Sequence, residues 1–249
     1  MKLKMTFAAI SIFMVFSSAV LAQESAELVN KQGMVEFNKG AFESSVPYFE
    51  RAITLKPDYA TAYYNLGTAN FYQKQYERSV ANLKRAIELD PTYAAVYNQI
   101  GVVYVAAGEN SSAAAVLKKA IELRPDYTIA LYNLGCAYIR MRNFTAAAEV
   151  LEKARGLDPA NVEIKLNLAC ALSNLKRIPK AITEMEAAVN LQPKDAELKL
   201  LLGRIYILAR DRGRAIDQYA ELKTLDPVIA GKLYDEIHKG RTIAAVAVR

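Results

Sequence analysis

Two cysteines, Cys136 and Cys170, are the side chains of this sequence best suited to covalent or metal chemistry, and they lie 34 residues apart. Two thiols in an oxidising compartment can form a disulfide, and thiolates are also zinc ligands. The metal site is disfavoured because no histidine accompanies the pair, the only histidine of the sequence being His238. The disulfide depends on which elements carry the two residues.

Catalytic chemistry finds little support in the sequence. A nucleophile, base and carboxylate set would need His238 as its base, and a single histidine on a surface helix is usually solvated. The motifs GxGxxG, GxxxxGKS/T and HExxH are absent from the sequence. Recurring carboxylates such as Glu88 and Glu122 stand beside Lys or Arg, as on a solvated face. We therefore predict a protein that is not an enzyme and that uses neither cofactor nor metal.

The first 22 residues have the features of a signal peptide. Lys2 and Lys4 precede an apolar run over 5–16, and Val20-Leu21-Ala22 resembles a cleavage site. We expect cleavage after Ala22. The alternative is an uncleaved anchor, because residues 5–22 come close to the shortest membrane span. In both cases the rest of the chain lies outside the cytoplasm, as a periplasmic or secreted protein.

The net charge of the chain is modest. It is +6 for the 249 residues and +4 once Lys2 and Lys4 are removed with the leader. This excess is too small to indicate a nucleic-acid partner. Hydrophobic residues make up 53% and charged residues 23% of the chain, which is typical of a folded domain and not of a disordered one.

The elements that carry these residues follow from an internal repeat. The phrase AIELRPDYTIALYNLG begins at Ala120, and near-copies begin at Ala86 and Ala52, each 34 residues from the next. Without insertion or deletion the period defines six units: 26–59, 60–93, 94–127, 128–161, 162–195 and 196–229. Position 32 is always Pro: Pro57, Pro91, Pro125, Pro159, Pro193 and Pro227. Position 8 is always small: Gly33, Gly67, Gly101, Gly135, Ala169 and Gly203.

Each unit is predicted to form two helices joined by a short turn. Apolar residues recur every three or four residues, which is the period of a helix and not of a strand. A break such as AGENS at 107–111 then ends one helix and caps the next. The proline ends the second helix, and the small residues let two helices approach closely where they cross.

The segment YNLGTANFYQKQYERSVANLKRAIELDP (64–91) resembles a tetratricopeptide repeat in its period and in its Leu-Gly, Ala, aromatic and Pro positions. The resemblance implies an all-α, right-handed α-solenoid of tandem helix-turn-helix repeats over 23–229. A capping helix would follow at 230–239, and the tail 240–249 is unplaced. Cys136 and Cys170 would lie on adjacent first helices, whose axes are about 8–10 Å apart. That spacing disfavours a disulfide, which needs Cα atoms within about 7 Å, without excluding it.

In tetratricopeptide proteins the first helices line a concave groove, into which positions 2, 5, 9, 12 and 13 point. Carried onto this sequence, the resemblance predicts these partner-binding residues: Tyr64, Phe71, Tyr72, Asn98, Val102, Tyr132, Ile139, Arg140, Leu166 and Arg204. The groove is mostly apolar and aromatic and lacks the Lys and Asn clamp that holds a carboxylate tail. An extended apolar peptide or an amphipathic helix is therefore the expected guest. Tyr64 and Tyr132 are equally compatible with a core position, and Asn65, Asn133 and Asn167 are expected to form hydrogen bonds between helices.

Function is predicted at the level of class. The chain is expected to be a non-enzymatic protein-binding scaffold outside the cytoplasm. The alternative is a structural module that self-associates, or joins an envelope complex, through its edges or the tail 240–249. The partner and the pathway do not follow from the sequence, because one fold hosts many functions.

Overall fold

The computed structural model describes residues 25–239. The leader 1–22 and the tail 240–249, with the roles predicted for them, lie outside the described residues. Within that range the chain forms thirteen α-helices: α1 (Ala26–Asn38), α2 (Phe42–Leu55), α3 (Ala60–Tyr72), α4 (Tyr76–Leu89), α5 (Ala94–Ala106), α6 (Asn110–Leu123), α7 (Thr128–Arg140), α8 (Phe144–Leu157), α9 (Val162–Asn174), α10 (Ile178–Leu191), α11 (Ala196–Leu208), α12 (Arg212–Leu225) and α13 (Pro227–Lys239). The prediction of an all-α fold is confirmed.

Residues 25–91 and 92–239 form two compact units. In each unit a first helix packs on the second helix of its own pair, and that second helix also packs on the first helix of the next pair. First helices of neighbouring pairs also contact each other, α1 with α3 in one unit and α5 with α7 and α7 with α9 in the other. Consecutive helix pairs therefore bury their apolar faces against one another, since a single pair cannot do so.

Side-chain caps begin several of these helices. Asn161 Oδ1 accepts a hydrogen bond from the Ile164 amide at 3.1 Å, and Asp195 Oδ1 accepts one from the Leu198 amide at 3.0 Å. Asp226 caps α13 in the same way, so the capping helix begins at Pro227, three residues before the predicted start. Each cap satisfies an amide that has no partner within its helix.

None of the helices between residues 25 and 239 combines the length and the apolarity needed to cross a bilayer.

Small residues at position 8 allow close contact within a pair, as predicted. A Cβ added at Gly135 would lie 2.5 Å from Leu151 Cγ, which real Cβ atoms do not tolerate. The same crowding occurs at Gly67 and Gly101. In each case a fully buried leucine of the second helix fills the space that the missing side chain leaves.

The last pair fills this space differently. At Gly203 of α11 an added Cβ would lie 2.6 Å from Cδ2 of Leu233, which belongs to α13. Leu233 is fully buried, and α13 packs on both α11 and α12. The capping helix thus supplies a core side chain to the pair that it covers.

A left-handed backbone corner recurs where each first helix ends, at position 15 of the repeat. Its φ angle is between 58° and 83° in all six pairs. At the third of these turns from the C-terminus, the Asn143 amide donates to the Tyr138 carbonyl at 2.8 Å, which satisfies a helix-end carbonyl. Glycine is the residue best suited to this left-handed conformation, and it occurs at two of the six positions, Gly40 and Gly108. The other four positions are Lys or Arg: Lys74, Arg142, Lys176 and Arg210.

Replacing Arg142 by Gly should raise the free energy of unfolding by about 0.5–1 kcal/mol. The left-handed conformation costs a residue with a Cβ about 1–2 kcal/mol, part of which is offset by the greater freedom of glycine in the unfolded chain. Urea denaturation measures the change. The control Lys153→Gly, at an exposed position inside α8, should lower stability by about 1 kcal/mol. A loss of stability in both variants would contradict this assignment of strain.

Buried ion pairs link elements in the C-terminal unit. Glu184 of α10 is 6% exposed, and its carboxylate accepts a hydrogen bond from Arg155 of α8. Lys165 Nζ of α9 lies 3.8 Å from the other oxygen of the same carboxylate. One anion therefore neutralises two cations from two different pairs.

Candidate functional site

The candidate site in the C-terminal unit is the surface of the first helices α5, α7 and α9. We call it the first-helix surface and define it by Val102, Ile129, Tyr132, Ile139 and Leu166. Val102, Tyr132, Ile139 and Leu166 are half-buried, and Ile129 is 59% exposed. Tyr132, Ile139 and Leu166 also pack on the hydrophobic core of the unit. These side chains are therefore partly core and partly available to a partner.

Hydrogen bonds between neighbouring first helices lie beneath this surface. Asn133 Nδ2 donates to Asn98 Oδ1 at 2.9 Å, and Asn167 Nδ2 lies 3.5 Å from the Tyr132 hydroxyl oxygen. The prediction that the amides at position 6 connect helices is confirmed for Asn133, whereas the shorter hydrogen bond of Asn167 Nδ2, at 2.8 Å, is to the Glu163 carbonyl of its own helix. Asn98, predicted to contact a partner, is 7% exposed and its carbonyl oxygen is already engaged. We therefore leave Asn98 out of the proposed site.

The same contact occurs in the N-terminal unit, where Asn65 Nδ2 donates to Asn30 Oδ1 at 2.9 Å. In every case the residue at position 6 meets the residue at position 5 of the preceding repeat. A buried amide that lost such a partner would be left unsatisfied, at a cost of about 1–3 kcal/mol. These contacts fix the register of one first helix on the next.

A cavity of about 200 Å³ opens between the start of α7 and the start of α9. Its lining combines apolar, aromatic and acidic side chains: Thr128, Ile129, Tyr132, Asp158, Asn161, Glu163 and Ile164. Burial raises the pKa of the Tyr132 phenol still further above neutral pH, where a tyrosine is already protonated. The cavity can receive one side chain of a partner against Ile129 and the Tyr132 ring.

The two cysteines lie on the same two helices. They are not joined by a disulfide, and Cys170 is 1% exposed. Burial raises the pKa of the Cys136 thiol, although a hydrogen bond with Tyr132 acts in the opposite direction. A raised pKa keeps the thiolate scarce at neutral pH and the thiol unreactive. Within residues 25–239 no group of three or more potential metal ligands occurs.

Two arginines predicted to bind a partner have different environments. Arg140, the last residue of α7, is exposed. Arg204 of α11 instead forms a bidentate ion pair with Glu236 of α13, with its Nη2 2.6 Å and its Nε 2.9 Å from the carboxylate oxygens. Because Nε and Nη2 of Arg204 already donate to a carboxylate of the capping helix, we leave this residue out of the proposed site.

In the N-terminal unit the predicted residues belong to an aromatic cluster, which we define as Phe37, Phe42, Phe71, Tyr72 and Tyr76. The Tyr72 ring is 51% exposed and stacks on Phe42 with centroids 4.4 Å apart. Phe37 meets both of these rings edge-on, and Phe71 lies between Tyr72 and Tyr76. Sequence reasoning missed Phe37, Phe42 and Tyr76, although aromatics at positions 12 and 17 of both repeats were a visible signal. Tyr64 is half-buried on the same helix as Phe71.

Comparisons with known proteins agree with this architecture. A family model described as "Tetratricopeptide repeat" matches residues 138–205, and one described as "TPR repeat" matches 33–73, 67–108 and 101–141. No curated protein sequence gives a significant match. Among solved structures, the chain is similar to Pseudomonas aeruginosa pilF, with a sequence identity of 21% and a TM-score of 0.73. The alignment covers 85% of this chain and 97% of the pilF chain.

Two further structures share the fold. One is YrrB, titled as a TPR protein with an unusual peptide-binding site, with 22% identity, 75% of this chain and 97% of that chain covered, and a TM-score of 0.66. The other is MamA from Desulfovibrio magneticus RS-1, with 22% identity, 68% and 96% covered, and a TM-score of 0.64. Stacked helix pairs with an exposed first-helix surface define a helical-repeat protein. Because the family matches span residues 33–205, more than half of the chain, it belongs to the tetratricopeptide repeat proteins. The count of six repeats stays a prediction.

Proposed function

We propose that the chain is a non-enzymatic scaffold that binds an extended apolar peptide or an amphipathic helix of a partner protein on its first-helix surface. The observation that supports this most directly is the cavity between α7 and α9, where a 59%-exposed isoleucine adjoins the half-buried Tyr132. An exposed β-branched side chain beside an aromatic ring is the kind of apolar recess that receives an anchor residue of a partner. Tetratricopeptide repeat proteins bind protein or peptide partners, and YrrB is titled for such a site.

The proposed location is outside the cytoplasm. It rests on the leader of the sequence, whose Lys2 and Lys4 precede the apolar run 5–16. The chain recovered from the exported fraction of its host should therefore have the mass expected after cleavage at Ala22, or the full mass if the leader is kept as an anchor. Recovery from the cytoplasm alone would contradict the location.

Replacing Ile129 and Tyr132 together by Ala should reduce capture of the partner at least about tenfold, because both side chains line the cavity between α7 and α9. The measurement is quantitative affinity capture from the exported fraction with wild type and variant as bait. The matched control replaces Tyr48 and Tyr234, which are 38% and 43% exposed on other helices, and it should bind as wild type does.

Circular dichroism of the same variants separates binding from folding. The Ile129 and Tyr132 double variant should keep the helicity of the wild type, since Ile129 is exposed and Tyr132 is half-buried. If it loses helicity, Tyr132 belongs to the core and the site assignment fails. If the double variant and the control capture equally, the partner binds elsewhere on the chain.

A further inference from the structure

The turns inside the last three helix pairs concentrate the positive charge of the protein. Residues 140–146, 174–180 and 208–214 contain eight cations and one carboxylate, Asp211, for a net charge of +7, which exceeds the +6 of the whole chain. We call this set the basic turn edge: Arg140, Arg142, Lys176, Arg177, Lys180, Arg210, Arg212 and Arg214. All eight are exposed. The turns between these pairs, at 124–127, 158–161 and 192–195, carry a net charge of −1.

Folding stability explains only part of this arrangement, since the helix dipole favours cations at the C-terminal ends of the first helices. Arg142, Lys176 and Arg210 occupy left-handed corners, with φ of 58°, 61° and 60°, where glycine would be less strained. Lys180 and Arg212 lie in the first turn of α10 and α12, where the helix dipole disfavours a cation. Backbone strain that packing does not require is a signal of function.

The cations are also largely without internal partners. Arg214 pairs with Asp211 and Glu186. None of the other seven forms an ion pair within residues 25–239. Unpaired exposed cations on consecutive turns create a local positive potential that attracts an anionic surface.

We propose that the basic turn edge lies against a membrane surface that carries anionic phospholipids. The cations occupy the turns inside three consecutive helix pairs that pack on one another, so they lie along one edge of the C-terminal unit, where charge complementarity favours an extended anionic surface. Met141 and Leu208, in the same turns, are 40% and 36% exposed and offer apolar contacts for shallow insertion. Of its eight cations, Arg140 alone belongs to a first helix and borders the first-helix surface, and the inference does not depend on the proposed partner.

The test measures binding of the full chain to vesicles by flotation. Vesicles of phosphatidylcholine alone are compared with vesicles that contain about one-third phosphatidylglycerol. The wild type should bind the anionic vesicles at least about tenfold more than the neutral ones, and about 1 M salt should abolish the difference because it shortens the screening length.

The informative variant combines Arg142→Gly, Lys176→Gly and Arg210→Gly. It removes three charges and relieves three strained corners, so a folding defect cannot account for lost binding. It should bind anionic vesicles about 10–100-fold less than wild type. The matched control, Lys84→Gln with Lys153→Gln and Lys223→Gln, removes three exposed charges from second helices and should stay within about twofold of wild type. The leader is the same in all three proteins.

Three outcomes would overturn the proposal. The first is equal binding of wild type to neutral and anionic vesicles. The second is an equal loss of vesicle binding in the variant and the control, which would mean that the net charge of the protein, and not the basic turn edge, determines binding. The third is tight binding of a polyglutamate peptide to wild type without binding to vesicles, which would identify an acidic protein segment as the occupant.

Discussion

Replacing Gly135 by Ala should lower the free energy of unfolding by about 1–3 kcal/mol, although alanine is the better helix former. The added Cβ would lie 2.5 Å from Cγ of Leu151, a fully buried side chain with no free end that can move aside. Either α7 and α8 separate or Leu151 leaves its rotamer, and both changes reduce buried contact. Thermal or urea unfolding monitored by circular dichroism gives the difference.

The sequence provides a control for the Gly135→Ala variant and also a natural combination of side chains that indicates a compensating substitution. Gly156 of α8 has nothing within 4 Å of an added Cβ, so Gly156→Ala should stabilise by about 0.5–1 kcal/mol. In the next pair, Ala169 occupies the position of Gly135 and the flexible Met185 that of Leu151. Adding Leu151→Met to Gly135→Ala should therefore recover part of the loss. If Gly135→Ala stabilises as Gly156→Ala does, the close contact does not constrain the helices.

Replacing Glu184 by Gln should cost about 2–4 kcal/mol, because it leaves Lys165 buried without a counter-charge. The Lys165 side chain is 11% exposed and depends on this carboxylate, whereas Arg155 is 42% exposed and can turn toward water. The loss would be at the lower end of this range if Arg155 turns toward water in the variant. Equilibrium unfolding in urea measures the loss, and it should persist at high salt, since salt screens buried charges weakly.

A surface pair provides the comparison. Glu122 and Lys119 are 64% and 51% exposed, so Glu122→Gln should change stability by less than about 0.5 kcal/mol. Combining Glu184→Met with Lys165→Met should restore much of the loss by removing the unpaired charge with its partner. A Glu184→Gln effect no larger than that of Glu122→Gln would show that the buried triad does not stabilise the packing of these pairs.

Much of this fold was accessible from the sequence, because the repeat period is set by helix packing. Gly135, by its lack of a side chain, predicts a close helix crossing, and Pro159, by its ring, predicts a helix end; the structure places both features as expected. The left-handed corner at Arg142 was not visible, because an arginine carries no signal for a positive φ. Only comparison with Gly40 and Gly108 at the same repeat position could have revealed it.

The candidate site was less accessible for a related reason. Position 5 of the repeat carries Asn98 in one repeat and Tyr132 in the next, and the sequence assigned both to partner contact. Whether the residue at position 5 is exposed to solvent depends on whether the residue at position 6 of the following repeat forms a hydrogen bond with it. Asn133 donates a hydrogen bond to Asn98, which is buried, whereas Asn167 Nδ2 lies 3.5 Å from the Tyr132 hydroxyl oxygen. A similar long-range effect engages Arg204, through a carboxylate 32 residues later.

Leu233 has a consequence for synthesis on the ribosome. The four pairs that contain Gly33, Gly67, Gly101 and Gly135 obtain the side chain opposite position 8 from within the same 34 residues, so this contact can form as soon as the pair has emerged. The last pair receives Leu233 from beyond its own end. The contact between Gly203 and Leu233 therefore cannot form until α13 has left the exit tunnel. A stop codon shortly after Pro227 would release a chain whose final pair has no means of closing its apolar interior.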